Sequence, residues 1–134
     1  MTERRILIVD NDQTLRRELS RALRDVEIVS DSVSDAAEAI ALLLQQRYAI
    51  VILDVAIAGG SDAVIAAAQR ISEGERPIVI VTADAENIGG LDAEAVQVVM
   101  RRPVRVREVA ELARACIDAR AARRRTDPDE VRVS

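Results

Sequence analysis

The chain has 134 residues, 49% of them hydrophobic and 31% charged, with a formal net charge of −4; these values fit one globular domain and exclude a disordered chain. The negative balance gives no general electrostatic basis for nucleic-acid binding, and no apolar run is long enough to span a bilayer. The absence of histidine excludes sites built on imidazole, and the single cysteine excludes an internal disulfide and suggests the cytoplasm.

Apolar, β-branched runs alternate with segments of helical period along the whole chain. In the first half, strands are predicted at 5–9, 26–30 and 49–53. A helix is predicted from about 13 to 24, with Asp12 as its N-cap, and a second from near Ser34. Residues 6–9 of the first run and all of 49–53 are apolar, which is typical of parallel strands that are buried on both faces.

Glycine pairs mark two loops of the second half. Gly59-Gly60-Ser61 leads into a third helix at about 62–72, and a fourth strand follows at 77–81. Two further adjacent glycines lie within 87–92, and each of them is unfavourable inside a helix. The fourth helix is therefore expected to be short, irregular or mobile.

The C-terminal segment is predicted to complete a single domain. A fifth strand at about 95–100 precedes a last helix from about Arg105, whose apolar face includes Cys116 as a buried and inert thiol. No packing face remains after Ala122. Residues 1–122 are therefore expected to form the domain, and residues 123–134 a frayed helix end and a flexible tail.

Strand–helix alternation with short connections predicts an α/β fold with a doubly wound, five-stranded parallel sheet covered by helices on both faces. Ligands of such sheets bind outside the carboxyl ends of the strands. Polar residues follow four of the predicted strands there: Asp10-Asn11, Asp54, Thr82 and Arg102-Pro103. This edge is the predicted functional site.

These strand-end motifs, in this order, resemble the receiver domain of two-component response regulators over residues 4 to about 120. The resemblance rests on Ile-Leu-Ile-Val-Asp10-Asn11-Asp12, on Tyr48-Ala-Ile-Val-Ile-Leu-Asp54, on Pro77-Ile-Val-Ile-Val-Thr82-Ala83 and on Arg102-Pro103. It implies a (βα)5 flavodoxin-like three-layer sandwich. It also implies no enzymatic activity beyond self-catalysed phosphoryl transfer and dephosphorylation.

The resemblance assigns a role to each residue of the site. It implies that Asp54 is the phosphoacceptor, and that Asp10, Asn11, Asp54 and the backbone carbonyl of Ala56 bind Mg²⁺. It also implies that Thr82 and Arg102 contact the phosphoryl group. Since an enzyme with a similar topology that binds a nucleotide or flavin would need a glycine-rich loop after the first strand, that class is disfavoured.

Several positions depart from the family pattern and indicate an atypical member. Asn11 stands where a second acid is usual, which is expected to weaken Mg²⁺ binding, and Arg102 stands where lysine is usual. Val99 occupies the position of the switch aromatic, and Ala58 that of a loop proline. We name the face formed by the fourth helix, fifth strand and last helix the C-terminal face. Signalling through this face is expected to be altered or absent.

Simpler interpretations stay open for several of these residues. Asp54 could be an ordinary strand-ending acid, Thr82 an ordinary strand residue and Arg102 a solvated charge. Asp12 is expected to cap a helix rather than bind metal, and the Arg123–Arg125 run is expected to be a solvated helix end.

Two function classes follow from this pattern. The first is a response regulator whose Asp54 is phosphorylated by a histidine kinase or phosphotransfer protein, and whose changed surface binds a downstream target or a second copy through the C-terminal face. No output domain is recognised after the last helix, so the output is expected to be binding. The second is a pseudo-receiver, an interaction module that works without phosphorylation.

Overall fold

The computed structural model describes residues 5–86 and 95–126. The predicted fourth helix, with Gly89 and Gly90, lies outside these ranges, as does most of the predicted tail. Within them, the strands are β1 (Arg5–Val9), β2 (Val29–Val33), β3 (Ile50–Asp54), β4 (Ile78–Ala83) and β5 (Val98–Arg101). The α-helices are α1 (Gln13–Asp25), α2 (Ala36–Gln45), α3 (Ser61–Gln69) and α4 (Val106–Thr126), with a 3₁₀ turn at Glu73–Glu75.

The five described strands form one parallel sheet in the order β2-β1-β3-β4-β5. The chain starts in β1, moves outward to β2, and then crosses back to β3 on the other side of β1. This reversal leaves a crevice at the carboxyl ends of β1 and β3, where α/β sheets of this kind bind their ligands. The predicted α/β doubly wound fold is therefore confirmed.

Helices cover both faces of the sheet because successive strand side chains point to opposite sides. Leu7 and Val9 pack in a cluster with residues of α2 and α3. Ile6 and Ile8 pack in a second cluster with α1 and α4. The core is thus two aliphatic layers, and it holds the strands that end at the crevice in fixed register. Within the described ranges, no helix has the length and apolar character needed to cross a membrane.

The prediction for the second strand was wrong by three residues. Val26 caps α1, and Glu27 adopts a left-handed conformation with φ of 65°. The amides of Glu27 and Ile28 donate to the carbonyls of Arg24 and Leu23. This turn uses the β-branched residues that sequence reasoning had placed in the strand, so that β2 begins only at Val29.

The helix boundaries show how local capping sets the ends. Asp12 caps α1 as predicted, since its Oδ1 accepts from the amide of Leu15 at 3.1 Å. The start of α2 is capped by Asp35 rather than by Ser34. The last helix, α4, continues to Thr126, into the segment predicted as a frayed helix end. It has a contact there, because the Arg124 guanidinium donates to the carbonyl of Gly74 at 2.6 Å.

Candidate functional site

The end of β1 presents Asp10 as a buried carboxylate at the edge of the sheet. Its Oδ1 accepts a hydrogen bond from the amide of Asp12 at 2.9 Å. The Arg16 guanidinium, one turn into α1, donates to the Asp10 carbonyl at 2.5 Å. Asn11 lies between the two acids in sequence and is exposed. The loop therefore fixes Asp10 and leaves Asn11 at the solvent boundary.

The end of β3 presents Asp54 with the same local geometry. Its Oδ1 accepts from the amide of Ala56 at 3.1 Å, two residues farther along the chain, as in Asp10. β3 and β4 pair so that Asp54 is in register with Thr82, and the amide of Val55 donates to the Thr82 carbonyl at 3.0 Å. Both Asp54 and Thr82 are buried. Asp54 is thus fixed by backbone on two sides.

The Arg102 side chain connects the acids to Thr82. Its Nη1 lies 3.0 Å from Asp10 Oδ2, 2.9 Å from Thr82 Oγ1 and 3.8 Å from Asp54 Oδ1. Arginine is only a donor, so Thr82 accepts here and keeps its own hydroxyl hydrogen for another partner. The amide of Arg102 donates to the Ala83 carbonyl at 2.9 Å, and the Arg102–Pro103 bond is cis. One nitrogen therefore joins β1, β3 and β4.

Burial and neighbouring charges shift the pKa values of Asp54 and Arg102. Burial raises the pKa of Asp54 above its ordinary value; the Ala56 hydrogen bond and Arg102 act against this rise, while Asp10 and Asp84 add to it. Burial alone would lower the pKa of Arg102, but its hydrogen bond to Asp10 and the nearby acids raise the pKa overall. The site therefore holds a persistent cation beside an acid that is costly to ionise.

The donor set at this edge fits a hard divalent cation in chemical type. Asp10 and Asp54 supply carboxylates, Asn11 an amide oxygen and Ala56 a backbone carbonyl, and oxygen donors of this kind suit Mg²⁺. Among residues 5–86 and 95–126, no group of three or more acidic, cysteine or histidine side chains could hold a metal. The set thus has one formal charge fewer than a site with three carboxylates.

Val99 lies on β5, apart from the acid cluster formed by Asp10, Asp54, Thr82 and Arg102. It is in register with Val81 of β4 and is 40% exposed. Its neighbours Val98 and Met100 pack on the cluster formed with α1 and α4, so Val99 points to the opposite side of the sheet. A valine at this exposed position has no ring to report a change at Thr82.

Two residues at the site were missed by sequence reasoning. Asp84 follows β4 directly and acts on the pKa of both Asp54 and Arg102. Its place just after a predicted strand ending on Thr82 was the available signal. Arg16 binds the Asp10 carbonyl, but it was indistinguishable in sequence from the other arginines of a polar helix face.

Comparison with known proteins agrees with this geometry. The family model described as "Response regulator receiver domain" matches residues 6–114. The chain is 33% identical over 129 residues to the response regulator MprA of Mycobacterium sp. (strain KMS), covering 94% of this chain and 53% of that protein. It is 31% identical over 133 residues to MprA of Mycobacterium leprae, covering 97% and 55%. The chain thus spans about half the length of these relatives.

Solved structures share the fold. A receiver domain protein from Methanospirillum hungatei superposes with a TM-score of 0.71 at 18% identity, covering 89% of this chain and 97% of that chain. An adenylate cyclase structure from Rhodopirellula baltica superposes with a TM-score of 0.78 at 19% identity, covering 96% of each.

The family match therefore extends from β1 into the last helix. It includes the carboxyl edge of the sheet with Asp10, Asp54, Thr82 and Arg102, which we call the acidic edge. On this match, the chain belongs to the response regulator receiver domain family of two-component systems.

Proposed function

We propose that Asp54 accepts a phosphoryl group from a partner histidine kinase or phosphotransfer protein, and that the chain then signals by binding a downstream target. The observation that carries this proposal is the position of Asp54. Its Oδ1 is fixed by the Ala56 amide and lies 3.8 Å from the Arg102 guanidinium. Its other oxygen is then free to act as a nucleophile at the carboxyl edge of the sheet.

The step is a transfer between two nucleophiles. An Asp54 carboxylate oxygen attacks the donor phosphorus, forming a P–O bond as the P–N bond of a phosphohistidine breaks, and the released imidazole takes up a proton. Negative charge grows on the equatorial phosphoryl oxygens during such transfers. Arg102 contributes a guanidinium that can bind these oxygens, and the Thr82 hydroxyl keeps a hydrogen to donate to one of them.

Mg²⁺, when bound by Asp10, Asn11, Asp54 and the Ala56 carbonyl, would offset the repulsion between the carboxylate and the phosphoryl group. The protein's own contribution is positioning. The Asp12 and Ala56 amides each hold one oxygen of an acid. The second oxygen of Asp10 binds Arg102, so the acids and the guanidinium hold a fixed arrangement before any ligand arrives.

Phosphorylation would also rearrange the contacts of Arg102. In the unmodified chain its Nη1 binds Asp10 and Thr82. A phosphoryl group on Asp54 would offer that guanidinium a more highly charged acceptor. Since Arg102 follows β5 directly, its shift is the route by which the modification would reach the C-terminal face.

The remaining assignments complete the proposal. The output is protein binding, either to a target or to a second copy through the C-terminal face, in the cytoplasm. Residues 1–122 would suffice as the receiver unit, with α4 extending past this limit to anchor on Gly74.

A pseudo-receiver is the second candidate, and the Arg102 contacts favour it. The guanidinium already neutralises Asp10 at 3.0 Å, so the unmodified site is a closed ion-pair network that holds its shape without phosphorylation. In that case the Asp54→Ala variant would bind its partner as well as the wild type does.

Intact-mass measurement tests the first proposal. The full chain is incubated with Mg²⁺ and acetyl phosphate, together with Asp54→Ala and the matched control Asp84→Ala. Wild type and Asp84→Ala should each gain the mass of one phosphoryl group, and Asp54→Ala should gain none. The absence of an adduct on wild type, together with no Mg²⁺ binding, would refute the proposal that Asp54 accepts a phosphoryl group.

A further inference from the structure

The short segment between β2 and α2, residues 33–36, contacts both loops that carry the acids, and we call it the α2 corner. The chain leaves β2 at the edge of the sheet and crosses β1 before it returns in β3, so the corner lies at the carboxyl end of the strands. The amide of Asp10 donates to the carbonyl of Val33 at 3.1 Å. The amide of Ala36 donates to the carbonyl of Ala58 at 2.9 Å. Main-chain hydrogen bonds therefore join the two loops through one corner.

Helix capping and burial fix the shape of the α2 corner. The Asp35 side chain accepts from the amide of Glu38 at 2.9 Å, which satisfies a donor of the first turn of α2. The Ser34 hydroxyl donates to Glu38 Oε1 at 3.2 Å. Val33 and Ala36, at the two ends of the corner, are buried. Since close-packed interiors transmit strain, a corner held in this way passes a displacement of one loop on to the other.

Gly59 is the point where the loop after Asp54 meets the corner. Its φ is 89°, and a Cβ on it would lie 2.9 Å from the Cβ of Ala36, which is closer than carbon atoms pack. Gly60 has a φ of 90°, but a Cβ on it would meet nothing within 4 Å. Both positions favour glycine for their backbone conformation. Only Gly59 also needs the missing side chain to approach α2.

The loop that contains Gly59 is tightly connected to the acceptor acid. The amide of Ile57 donates to the Asp54 carbonyl at 3.2 Å, and the amide of Ala56 donates to Asp54 Oδ1. The Ile57 side chain is buried in the cluster that contains residues of α2. A displacement of Gly59 would therefore change the position of the Ala56 carbonyl relative to the Asp54 carboxylate.

We propose that the α2 corner is a positioning element, which sets the spacing of the Asp10 and Asp54 loops through the contact of Gly59 with Ala36. This inference rests on the proposed function, in which both acids bind Mg²⁺. That ion demands near-ideal octahedral geometry from its oxygen ligands. A change at the corner would therefore weaken Mg²⁺ binding although no residue of the corner is itself a proposed ligand.

Nitrogen-15 NMR of the full chain tests the corner without any metal. Gly59→Ala adds a methyl group against Ala36 and should shift the amide signals of Asp10 and Asp12, which lie across the corner. Gly60→Ala is the matched control because it has the same backbone strain and no neighbour to press on. It should leave those two signals nearly unchanged. The double variant Gly59→Ala/Ala36→Gly moves the methyl group to the other side of the contact and should return both signals toward their wild-type positions.

Calorimetric titration with Mg²⁺ measures the consequence for the site. Gly59→Ala should bind Mg²⁺ about tenfold more weakly than wild type does, and Gly60→Ala should stay within about twofold. The double variant Gly59→Ala/Ala36→Gly should recover most of the affinity. Ala36→Gly alone opens the contact without a clash, so it should fold readily and lose less affinity than Gly59→Ala.

Several outcomes would overturn the proposal: unchanged Asp10 and Asp12 signals in Gly59→Ala, equal effects in the two glycine variants, or no recovery in the double variant. A merely structural role would lower the melting temperature of Gly59→Ala and leave its Mg²⁺ affinity at the wild-type value. Absence of Mg²⁺ binding in wild type would refute the proposed metal site, and the NMR comparison would still decide the role of the corner. Phosphorylation of Asp54 enters neither measurement, so its failure is distinguishable too.

Discussion

Asp10 and Asp54, on the β1/β3 side of the acidic edge, are held by backbone amides only two residues away in sequence. Thr82 and Arg102, on the β4/β5 side, are joined by side-chain contacts that span 20 residues, and Arg102 reaches Asp10 across 92 residues. The first pair is therefore fixed by local chain geometry. The second depends on the identity of individual side chains.

This difference predicts where this receiver domain should tolerate change. A loop that fixes a carboxylate through its own backbone keeps it in place while neighbours vary, as Asn11 does next to Asp10. A contact made by one side chain changes when that side chain changes, as it does with arginine at position 102. The atypical features of this chain accordingly concern the charge of the proposed metal site and the proposed switch more than the position of Asp54.

Removal of the cation should have the largest effect. Arg102→Ala leaves Asp10 and Asp54 buried without their shared counter-charge, so the free energy of unfolding at pH 7 should fall by about 3 kcal/mol. Urea denaturation measures this loss in the free energy of unfolding. The control Arg105→Ala removes an arginine that is 83% exposed and pairs with Glu108 at 3.6 Å, and it should change stability by less than about 0.5 kcal/mol. Equal effects would contradict a special role for Arg102.

Restoring a second acid beside Asp10 should strengthen Mg²⁺ binding at the end of β1. Asn11→Asp adds a formal negative charge next to Asp10, so Mg²⁺ affinity measured by calorimetry should rise by about tenfold. Asp12→Asn is the matched control because it removes one acid while keeping a good N-cap for α1. Since Asp12 caps the helix, its replacement should leave Mg²⁺ affinity nearly unchanged. An unchanged affinity in Asn11→Asp would show that the amide position does not face the ion.

Neutralising Asp54, the proposed acceptor, should stabilise the chain. Burial raises the pKa of Asp54, so the unfolded carboxyl loses its proton at a lower pH than the folded one, and wild-type stability falls as pH rises between the two pKa values. Asp54→Asn should therefore raise the free energy of unfolding at pH 7 by about 1 kcal/mol. The gain should vanish near pH 4 and below. A loss of stability at pH 7 would refute this electrostatic account.

The smallest effect on stability is expected at Val99, which occupies the position of the family's switch aromatic. Val99→Ala removes a 40% exposed side chain and should change the free energy of unfolding by less than about 0.5 kcal/mol. Its register partner Val81 is fully buried, and Val81→Ala should cost about 2 kcal/mol. Thermal denaturation of both variants measures the contrast. A large loss in Val99→Ala would show that the valine has a structural role on the C-terminal face.

The sheet and its acidic edge were predictable because their signals are local. Residues 6–9 before Asp10 and residues 49–53 before Asp54 are all apolar, and parallel strands that end together bring their acids together. The N-cap role of Asp12 followed from the same kind of local pattern. The start of β2 was not predictable in this way, because the left-handed Glu27 leaves no sign in composition.

The interactions of Arg102 could not be predicted from the sequence for a different reason. A solvated charge and a buried bridge look identical at position 102 until the fold brings β1, β3 and β4 within reach of one nitrogen. Sequence patterns thus could not predict the contacts that a long side chain such as Arg102 makes with residues far away in the chain.

Locating the phosphoryl group tests the central claim most directly. The wild-type chain is treated with acetyl phosphate and Mg²⁺ and then with borohydride, which reduces an aspartyl phosphate to homoserine, and peptide mass spectrometry finds the modified position. Homoserine at position 54, and at neither Asp10 nor Asp84, is the predicted result. Homoserine at one of those other acids, or at none, would contradict the assignment of Asp54 as the acceptor.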